Sequence, residues 1–418
     1  MDSKRWGFPC LWALLVGGAL AALGSGTVAA AEQRPNIVLI MVDDIGIGGF
    51  SCYGSDKYQT PQIDALAQSG VRFEHCFSMA LCGPSRACLL TGRYAFRTGM
   101  TGNNTGKKVT PDREVCVARV LREAGYTTAF AGKWNQLSYL NSPEDARRWG
   151  WDEYLVWDSS DSPGRYWKPR YYKNGELLRG VEDRYGPDLC HEFAVDFISR
   201  HKDRPFFLYC PMVLVHGPIM RTPDSPPGSK DLRRDMVAYM DKLVGKLVEE
   251  LGRQKLLERT VILFTSDNGT PGTDTIGGKA IDGRKGSMQE GGTRVPLIVS
   301  WKGTIAAGRV CSDLVDFSDF FPTLVELAGA KPPSGVVLDG RSFVPQLLGR
   351  PGNPREWVYV QLQDRRYVRD KRWKLYGDGT LCDMKDAPFR EIVIEKGTED
   401  GPAAEARKRL QAVLDRLN

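Results

Sequence analysis

Residues 36–42 read N-I-V-L-I-M-V, an apolar run rich in β-branched side chains, and Asp43-Asp44 follow it directly. A run that is apolar on both faces is typical of a strand buried in a parallel sheet. Because consecutive strand side chains point to opposite faces, the two carboxylates can meet one ion only if the chain turns after Val42. Residues 45–49, I-G-I-G-G, supply such a turn. Adjacent carboxylates repel each other, so we expect a cation between them; a solvated loop pair is the alternative.

Further along the chain, buried strands alternate with amphipathic helices. Strands are predicted at 126–131, 205–215 and 260–265, with Pro211 marking a bulge in the second. The helices are predicted at 61–69, 117–123, 191–200, 231–251 and 317–327. The segment 149–178 lacks clear periodicity and is interpreted as a long surface excursion that selects the substrate. The pattern predicts an α/β fold, with a large mixed, mostly parallel sheet sandwiched by helices.

Polar side chains follow four of these strands. They are Asp43-Asp44, Lys133, His216 and Asp267-Asn268. Ligands of open α/β sheets bind beyond the carboxyl ends of the strands, so we expect these groups to meet at one sheet edge. Carboxylate and amide oxygens suit a hard cation such as Ca²⁺ or Mg²⁺. The thiolate and imidazole ligands that zinc favours are not part of this predicted cation set.

Residues 81–93 read L-C-G-P-S-R-A-C-L-L-T-G-R. Pro84 is typical of the start of a helix, and Thr91-Gly92 can end it. Cys82 then lies at the helix N-terminus with Arg86 one turn along, a position that favours anions and lowers a thiol pKa. From local composition alone, a buried cysteine beside a structural arginine is the more common arrangement.

The C-G-P-S-R and L-L-T-G-R motifs together resemble the signature of the type I sulfatases, the formylglycine-dependent, arylsulfatase-like enzymes of the alkaline phosphatase superfamily. The runs R-P-N-I-V…D-D at 34–44 and S-D-N-G at 266–269 resemble the family's cation motifs. The resemblance implies that a formylglycine-generating enzyme converts Cys82 to an aldehyde, whose hydrate attacks sulfur. It also implies that Ca²⁺, or Mg²⁺, is held by four side chains and by the oxygen at position 82. The four are Asp43, Asp44, Asp267 and Asn268.

The same resemblance assigns the basic residues. Arg86 would brace the nucleophile. Sulfate oxygens and the leaving group would be contacted by Lys133 in G-K-W, His216 in H-x-P and Lys285 in K-G-x-x-x-E-G-G-x-R-V-P. Taken singly, each is more often a surface cation.

Asn135 departs from the family pattern. Many members have a histidine there, which takes a hydroxyl proton as the sulfated intermediate breaks down. An asparagine can hydrogen-bond a hydroxyl but cannot take its proton. We expect Asn135 among the substrate-binding residues, and the breakdown step stays open.

The N-terminal residues indicate where the protein is located, and the C-terminal residues indicate a second structural unit. Residues 1–31 combine a basic start, an apolar run and Ala29-Ala30-Ala31, which is typical of a cleaved signal peptide; an uncleaved anchor is the alternative. We therefore expect a secreted or periplasmic protein without stable membrane insertion after cleavage. Residues 32–350 would form the catalytic α/β domain. Residues 351–418 would form a small antiparallel β subdomain with a terminal helix.

Cleavage after residue 31 leaves nine of the ten cysteines, and conversion of Cys82 leaves eight. An oxidising compartment would permit disulfides, but their pairing cannot be read from the spacing.

The net charge of +6 suits an anionic substrate without deciding the function. The resemblance implies hydrolysis of a sulfate ester, most plausibly on a sulfated small molecule or glycan, with no nucleic-acid partner. Three alternatives stay open: a phosphodiester or phosphonate hydrolase of the same superfamily, a non-catalytic sulfated-glycan binder, and a Cys82 thiol hydrolase.

Overall fold

Ten strands form the central sheet in this computed structural model, which describes residues 34–103, 105, 109–134, 143–160 and 163–417. From one edge to the other they are Arg309–Asp316, Val71–Phe77, Arg294–Ser300, Thr260–Ser266, Asn36–Val42, Phe206–Pro211, Thr127–Gly132, Glu153–Trp157, Tyr171–Lys173 and Glu176–Leu177.

The strand Asn36–Val42 occupies the middle of the sheet and is buried along its whole length. It pairs in parallel with Phe206–Pro211 and Thr260–Ser266, in a register that places Val42 opposite Ser266. The parallel group continues through Thr127–Gly132 to Glu153–Trp157. By contrast, Arg294–Ser300 runs antiparallel to both of its neighbours. The predicted mixed, mostly parallel sheet is confirmed. Its five central parallel strands end at one edge and bring their following loops together.

Helices cover both faces, as predicted. On one face, Pro61–Gln68, Gly186–His201 and Leu232–Arg253 bury apolar side chains against the sheet. On the other face, the equivalent layer consists of Cys82–Thr91, Val117–Glu123 and Phe320–Leu327. Shorter helices lie at Ala95–Thr98, Pro143–Trp149, Glu290–Thr293 and Val344–Leu347.

A second sheet follows near the C-terminus. Its five antiparallel strands are, in order, Val358–Leu362, Arg365–Arg369, Trp373–Tyr376, Leu381–Asp383 and Ile392–Ile394. The terminal helix Gly401–Arg416 packs on the second and third of them. The predicted small antiparallel sheet with its helix is confirmed. The boundary at residue 350 stays a prediction, because the chain from Arg34 onward forms one compact unit.

Two local predictions are wrong. The strand after Pro205 ends at Pro211, so this proline terminates the strand and does not mark a bulge. The segment 149–178 is not a surface excursion: Glu153–Trp157 joins the main sheet, and Trp149 and Trp151 are fully buried. Because its aromatic residues are closely spaced, the segment lacks the alternation of apolar and polar residues that identifies a strand.

Each of the nine cysteines in the described ranges is a free thiol. In that same part of the chain, no helix combines the length and the apolar character needed to cross a bilayer. The predicted signal peptide lies outside the described residues.

Candidate active site

The first element of the site is the turn after the central strand. Asp43 and Asp44 are both buried, and Asp44 has a φ of +63°. This left-handed backbone is unusual for a residue other than glycine and is held in place by its neighbours. The Asp44 N–H donates to Oδ1 of Asp267 at 3.2 Å, and Arg233 Nη2 donates to the Asp44 carbonyl at 2.7 Å. The predicted turn is present, and Arg233 is a supporting residue that the sequence analysis missed.

Cys82 is the first residue of the helix Cys82–Thr91, as predicted, and Gly92 ends that helix with a φ of +67°. The Cys82 side chain is buried. Its Sγ lies 3.5 Å from Oδ1 of Asp43 and 3.6 Å from Oδ1 of Asp44. The structure therefore brings the proposed nucleophile and the acidic pair into one place.

The Cys82 thiol itself is a poor nucleophile. Burial raises its pKa well above the ordinary value, and the charge of Asp267 raises it further, although Lys133 opposes both effects. The expectation that the helix N-terminus lowers this pKa is wrong, because burial and the neighbouring carboxylates both disfavour the thiolate.

Arg86 contacts carboxylates. Its Nε and Nη2 each lie 2.8 Å from Oδ2 of Asp267, and Nη2 lies 3.8 Å from Oδ2 of Asp43. All three side chains are fully buried. The structure thus places Arg86 where it fixes two of the acids.

Two lysines reach the same acids. Lys133 Nζ donates to Oδ2 of Asp43 at 2.7 Å, and Lys285 Nζ donates to Oδ1 of Asp44 at 2.5 Å. Lys285 Nζ also lies 3.5 Å from the Sγ of Cys82. The glycine before Lys133 has a φ of +135°, and a Cβ there would lie 2.0 Å from the Pro211 carbonyl oxygen, so only glycine permits this chain path.

The pKa values of Asp43 and Asp267 shift in opposite directions. Burial alone would raise the pKa of Asp43, but Lys133 and Arg86 outweigh it and hold that pKa well below its usual range. Burial and the neighbouring Asp43 raise the pKa of Asp267 to about 6. At Asp267, burial and the charge of Asp43 therefore outweigh the opposing charges of Arg86 and Lys133.

The donor set fits a divalent cation. Ligand atoms of Asp43, Asp44, Cys82 and His216 all lie within 4.8 Å of one another. Asn268 Nδ2 donates to Oδ1 of Asp44 at 2.9 Å, while its buried Oδ1 has no partner among the described residues. An unpartnered amide oxygen beside several carboxylates is typical of a hard-cation ligand. Imidazole is absent from the cation set predicted from the sequence, whereas His216 belongs to this cluster.

His216 lies at the rim of the site, with Nε2 3.6 Å from Oδ2 of Asp44. Burial lowers its pKa below the ordinary value, and the charge of Asp43 opposes that effect. Its other ring nitrogen, Nδ1, lies 2.5 Å from Nη1 of Arg165 and 2.7 Å from the Gly217 carbonyl oxygen.

Arg165 is buried, with its guanidinium carbon 4.1 Å from the centre of the Trp157 ring. Arg165 is not among the residues predicted from the sequence, because it falls in the segment interpreted as a surface excursion. No motif on either side of Arg165 marks it. Asn135, the remaining predicted substrate-binding residue, lies outside the described residues.

A family profile and two relatives of known name all identify this chain as similar to sulfatases. The sulfatase family profile matches residues 35–330. Human arylsulfatase A is 35% identical over 385 residues, which cover 81% of this chain and 72% of the relative. Dog N-acetylgalactosamine-6-sulfatase is 34% identical over 371 residues, covering 81% and 70%.

Among solved structures, Ps i-CgsB in complex with k-i-k-neocarrahexaose has a TM-score of 0.78 to this chain. The two are 27% identical, and the alignment covers 92% of this chain and 93% of the other. The likeness extends across the main sheet and into the C-terminal region.

Proposed function

The chain belongs to the sulfatase family and is a sulfatase, and we propose that it hydrolyses a sulfate ester on a carbohydrate. We further propose that a formylglycine formed from Cys82 and a divalent cation serve this reaction. The observation that carries the proposal is the position of the Cys82 Sγ, 3.5 Å from Asp43, 3.6 Å from Asp44 and 3.5 Å from Lys285 Nζ.

Residue 82 would supply the attacking oxygen as an aldehyde hydrate. The buried thiol, whose pKa is raised by burial, is unsuited to that role. This contrast weighs against a Cys82 thiol hydrolase. Conversion would need a formylglycine-generating enzyme, which we propose as a partner.

The residues that would hold Ca²⁺, or Mg²⁺, are three acids and one amide around residue 82. They are Asp43, Asp44, Asp267 and Asn268. The cation would act as a Lewis acid toward a sulfate oxygen. Arg86 positions Asp267 and Asp43 through its buried contacts with both.

We assign to Lys133 and Lys285 the neutralisation of the charge that develops on the sulfate oxygens. Burial alone would lower the pKa of Lys133, but Asp43 raises it overall, so the ammonium stays charged. Cys82 and Asp44 likewise raise the pKa of Lys285 above its usual range despite burial. Preorganised charges of this kind stabilise a transition state without reorganising during the reaction.

His216 is the imidazole of this site, and we assign it proton transfer to the leaving oxygen of the ester. Its Nε2 lies 3.6 Å from Oδ2 of Asp44, and its side chain is partly exposed to solvent. Asn135 stays a proposed hydrogen-bond partner of the substrate. With asparagine there, His216 is also our candidate for the proton transfer that a histidine at 135 performs in other members.

A carbohydrate substrate is supported by the relatives. One is named for N-acetylgalactosamine 6-sulfate chemistry, and one structural neighbour binds a neocarrahexaose. The secreted or periplasmic location predicted from residues 1–31 agrees with a substrate of this class, and we retain it as a proposal.

The test combines mass spectrometry with kinetics. We expect the peptide containing residue 82, from protein made in a host with the converting enzyme, to be lighter than the thiol form and resistant to alkylation. We expect hydrolysis of p-nitrophenyl sulfate to exceed that of bis(p-nitrophenyl) phosphate. Cys82→Ala should abolish turnover, whereas Cys88→Ala, in the same buried helix, should retain it. An alkylatable thiol at 82 in active protein overturns the formylglycine proposal, and a preference for the phosphodiester overturns sulfate specificity.

A further inference from the structure

A cleft of about 780 Å³ opens beside Lys285. One wall is the segment 284–289, and the other consists of residues 364–366 and 376–378 from two turns of the C-terminal sheet. Lys285 lines this cleft and also reaches to 3.5 Å from the Sγ of Cys82. A molecule in the cleft would therefore contact the lysine whose ammonium group reaches the reacting position.

Backbone hydrogen bonds fix both walls. Lys285 N donates to the Thr270 carbonyl, and Gly377 N donates to the Arg366 carbonyl, each at 2.8 Å. Gly377 also leaves room for the Arg366 side chain, because a Cβ there would lie 2.9 Å from the Arg366 Cγ. The cleft is thus built on ordered backbone, and its volume lies within the ~300–1,000 Å³ typical of ligand sites.

Three arginines in these walls have no carboxylate partner within the described part of the chain. Arg284 and Arg365 are exposed, and Arg366 is half-buried with its Nε buried and without a hydrogen-bond partner. Elsewhere in the same sheet, Arg372 is paired with Asp383. A guanidinium group left without a partner in a cleft is suited to bind an external carboxylate or sulfate in bidentate fashion.

Two carboxylates and one aromatic ring also line the cleft. Asp364 and Asp378 offer carboxylates that can accept hydrogen bonds from hydroxyl groups. Tyr376 contributes an aromatic ring to the same wall. Guanidinium groups, carboxylates and a ring together fit a molecule with both hydroxyl and acidic groups. They fit less well a simple aryl sulfate, whose remaining surface is apolar.

We propose that this cleft is a subsite for a second acidic group of the substrate, held by Arg365 and Arg366, so that the preferred substrate is an acidic oligosaccharide. The inference rests on the proposed sulfate hydrolysis and narrows its substrate class. The ester to be cleaved lies at Lys285, and the carboxylate of a neighbouring sugar lies against the two arginines.

The experiment uses p-nitrophenyl sulfate, which is too small to fill both places, with a chondroitin 6-sulfate tetrasaccharide as competitor. A carboxyl-reduced tetrasaccharide keeps the sulfates and loses the carboxylates. In the wild-type protein we expect the inhibition constant of the reduced form to be at least tenfold higher. In the Arg365→Gln/Arg366→Gln variant this difference between the two forms should disappear.

The matched control is Arg350→Gln, an exposed arginine that does not line the cleft, and it should keep the tenfold discrimination. Equal inhibition constants for the two forms in the wild type, absence of competition, or unchanged discrimination in the double variant overturns the subsite. If p-nitrophenyl sulfate is not hydrolysed, the proposed function fails. In that case, calorimetry measures the dissociation constants of the intact and the carboxyl-reduced tetrasaccharide. A wild-type difference of less than tenfold between these two constants overturns the subsite.

Discussion

Arg86 and Asp267 form a fully buried ion pair, with Nε and Nη2 of the arginine each 2.8 Å from one carboxylate oxygen. The pair joins the helix that carries Cys82 to the loop after the strand Thr260–Ser266. It therefore ties the candidate nucleophile to the candidate cation ligands. Breaking it should affect stability as well as activity.

We expect Arg86→Met to lower the free energy of unfolding by about 3–5 kcal/mol, because Asp267 is left as a buried charge without its partner. Urea denaturation at pH 7 measures the loss. The control is Arg148→Met, whose ion pair with Asp112 is exposed to solvent and should contribute little to stability. Similar losses in the two variants would contradict the role assigned to Arg86.

Divalent cations should stabilise the protein independently of turnover. Calcium at about 100 times its dissociation constant should add about 2.7 kcal/mol to the free energy of unfolding, since it binds the folded state alone. We expect Asp44→Asn to lose this response, which thermal denaturation with and without a chelator will measure. Asp241→Asn changes a buried acid that accepts hydrogen bonds from the backbone at Gln62 and Ile63, away from the site, and should keep the response. A full response in Asp44→Asn would place the cation elsewhere.

Much of this arrangement could be predicted from the chain alone. The run from Asn36 to Val42 identifies a buried parallel strand, and the loops after such strands meet at one edge whatever the rest of the fold does. The grouping of Asp43, Asp44 and Cys82 follows from that rule together with the helix start at Cys82. Local sequence carries these features because apolar periodicity and turn residues determine them.

Other features depend on contacts that no local pattern contains. The raised pKa of Cys82 arises from burial among carboxylates contributed by distant segments, which outweighs the effect of the helix N-terminus. Arg165 and Arg233 reach the site through tertiary packing, and neither is part of a motif. The strand Glu153–Trp157 was missed because its closely spaced aromatic residues show no simple period.

Glu290 makes stability depend on pH. Burial alone would raise its pKa, but Arg369 and Arg294 outweigh it and lower that pKa from 4.5 to about 2. A carboxyl group whose pKa is lower in the folded state stabilises the fold above pH 4.5, and this contribution is lost as the pH falls toward 2.

We therefore expect Glu290→Gln to cost about 3 kcal/mol at pH 7 and less than about half of that at pH 3, by urea denaturation at both pH values. Glu258→Gln changes an exposed glutamate and should cost little at either pH. An equal cost of Glu290→Gln at pH 7 and pH 3 would contradict the linkage.

The role proposed for His216 predicts a dependence on the leaving group. General acid catalysis contributes about 10²–10⁴-fold where the leaving oxygen needs a proton. We expect His216→Gln to lower kcat/KM by that range for an alkyl or sugar sulfate, and much less for p-nitrophenyl sulfate. His191→Gln, on the helix Gly186–His201, serves as the control and should change neither. An equal loss on both substrates would assign His216 to binding instead.

Arg165 should set which ring nitrogen of His216 carries the proton. Two groups compete for Nδ1 of the neutral ring: the Arg165 guanidinium, with Nη1 2.5 Å away, can only donate to it, and the Gly217 carbonyl can only accept from it. The arginine favours the tautomer whose N–H lies on Nε2, facing Asp44. In Arg165→Gln the Gly217 carbonyl, 2.7 Å from Nδ1, becomes the stronger partner and draws the proton to Nδ1. We expect ¹⁵N NMR of the neutral imidazole to report this exchange of tautomers. Arg170→Gln removes an exposed arginine of the same segment and should leave the tautomer as it is. The same tautomer in wild type and Arg165→Gln would show that Arg165 does not control His216.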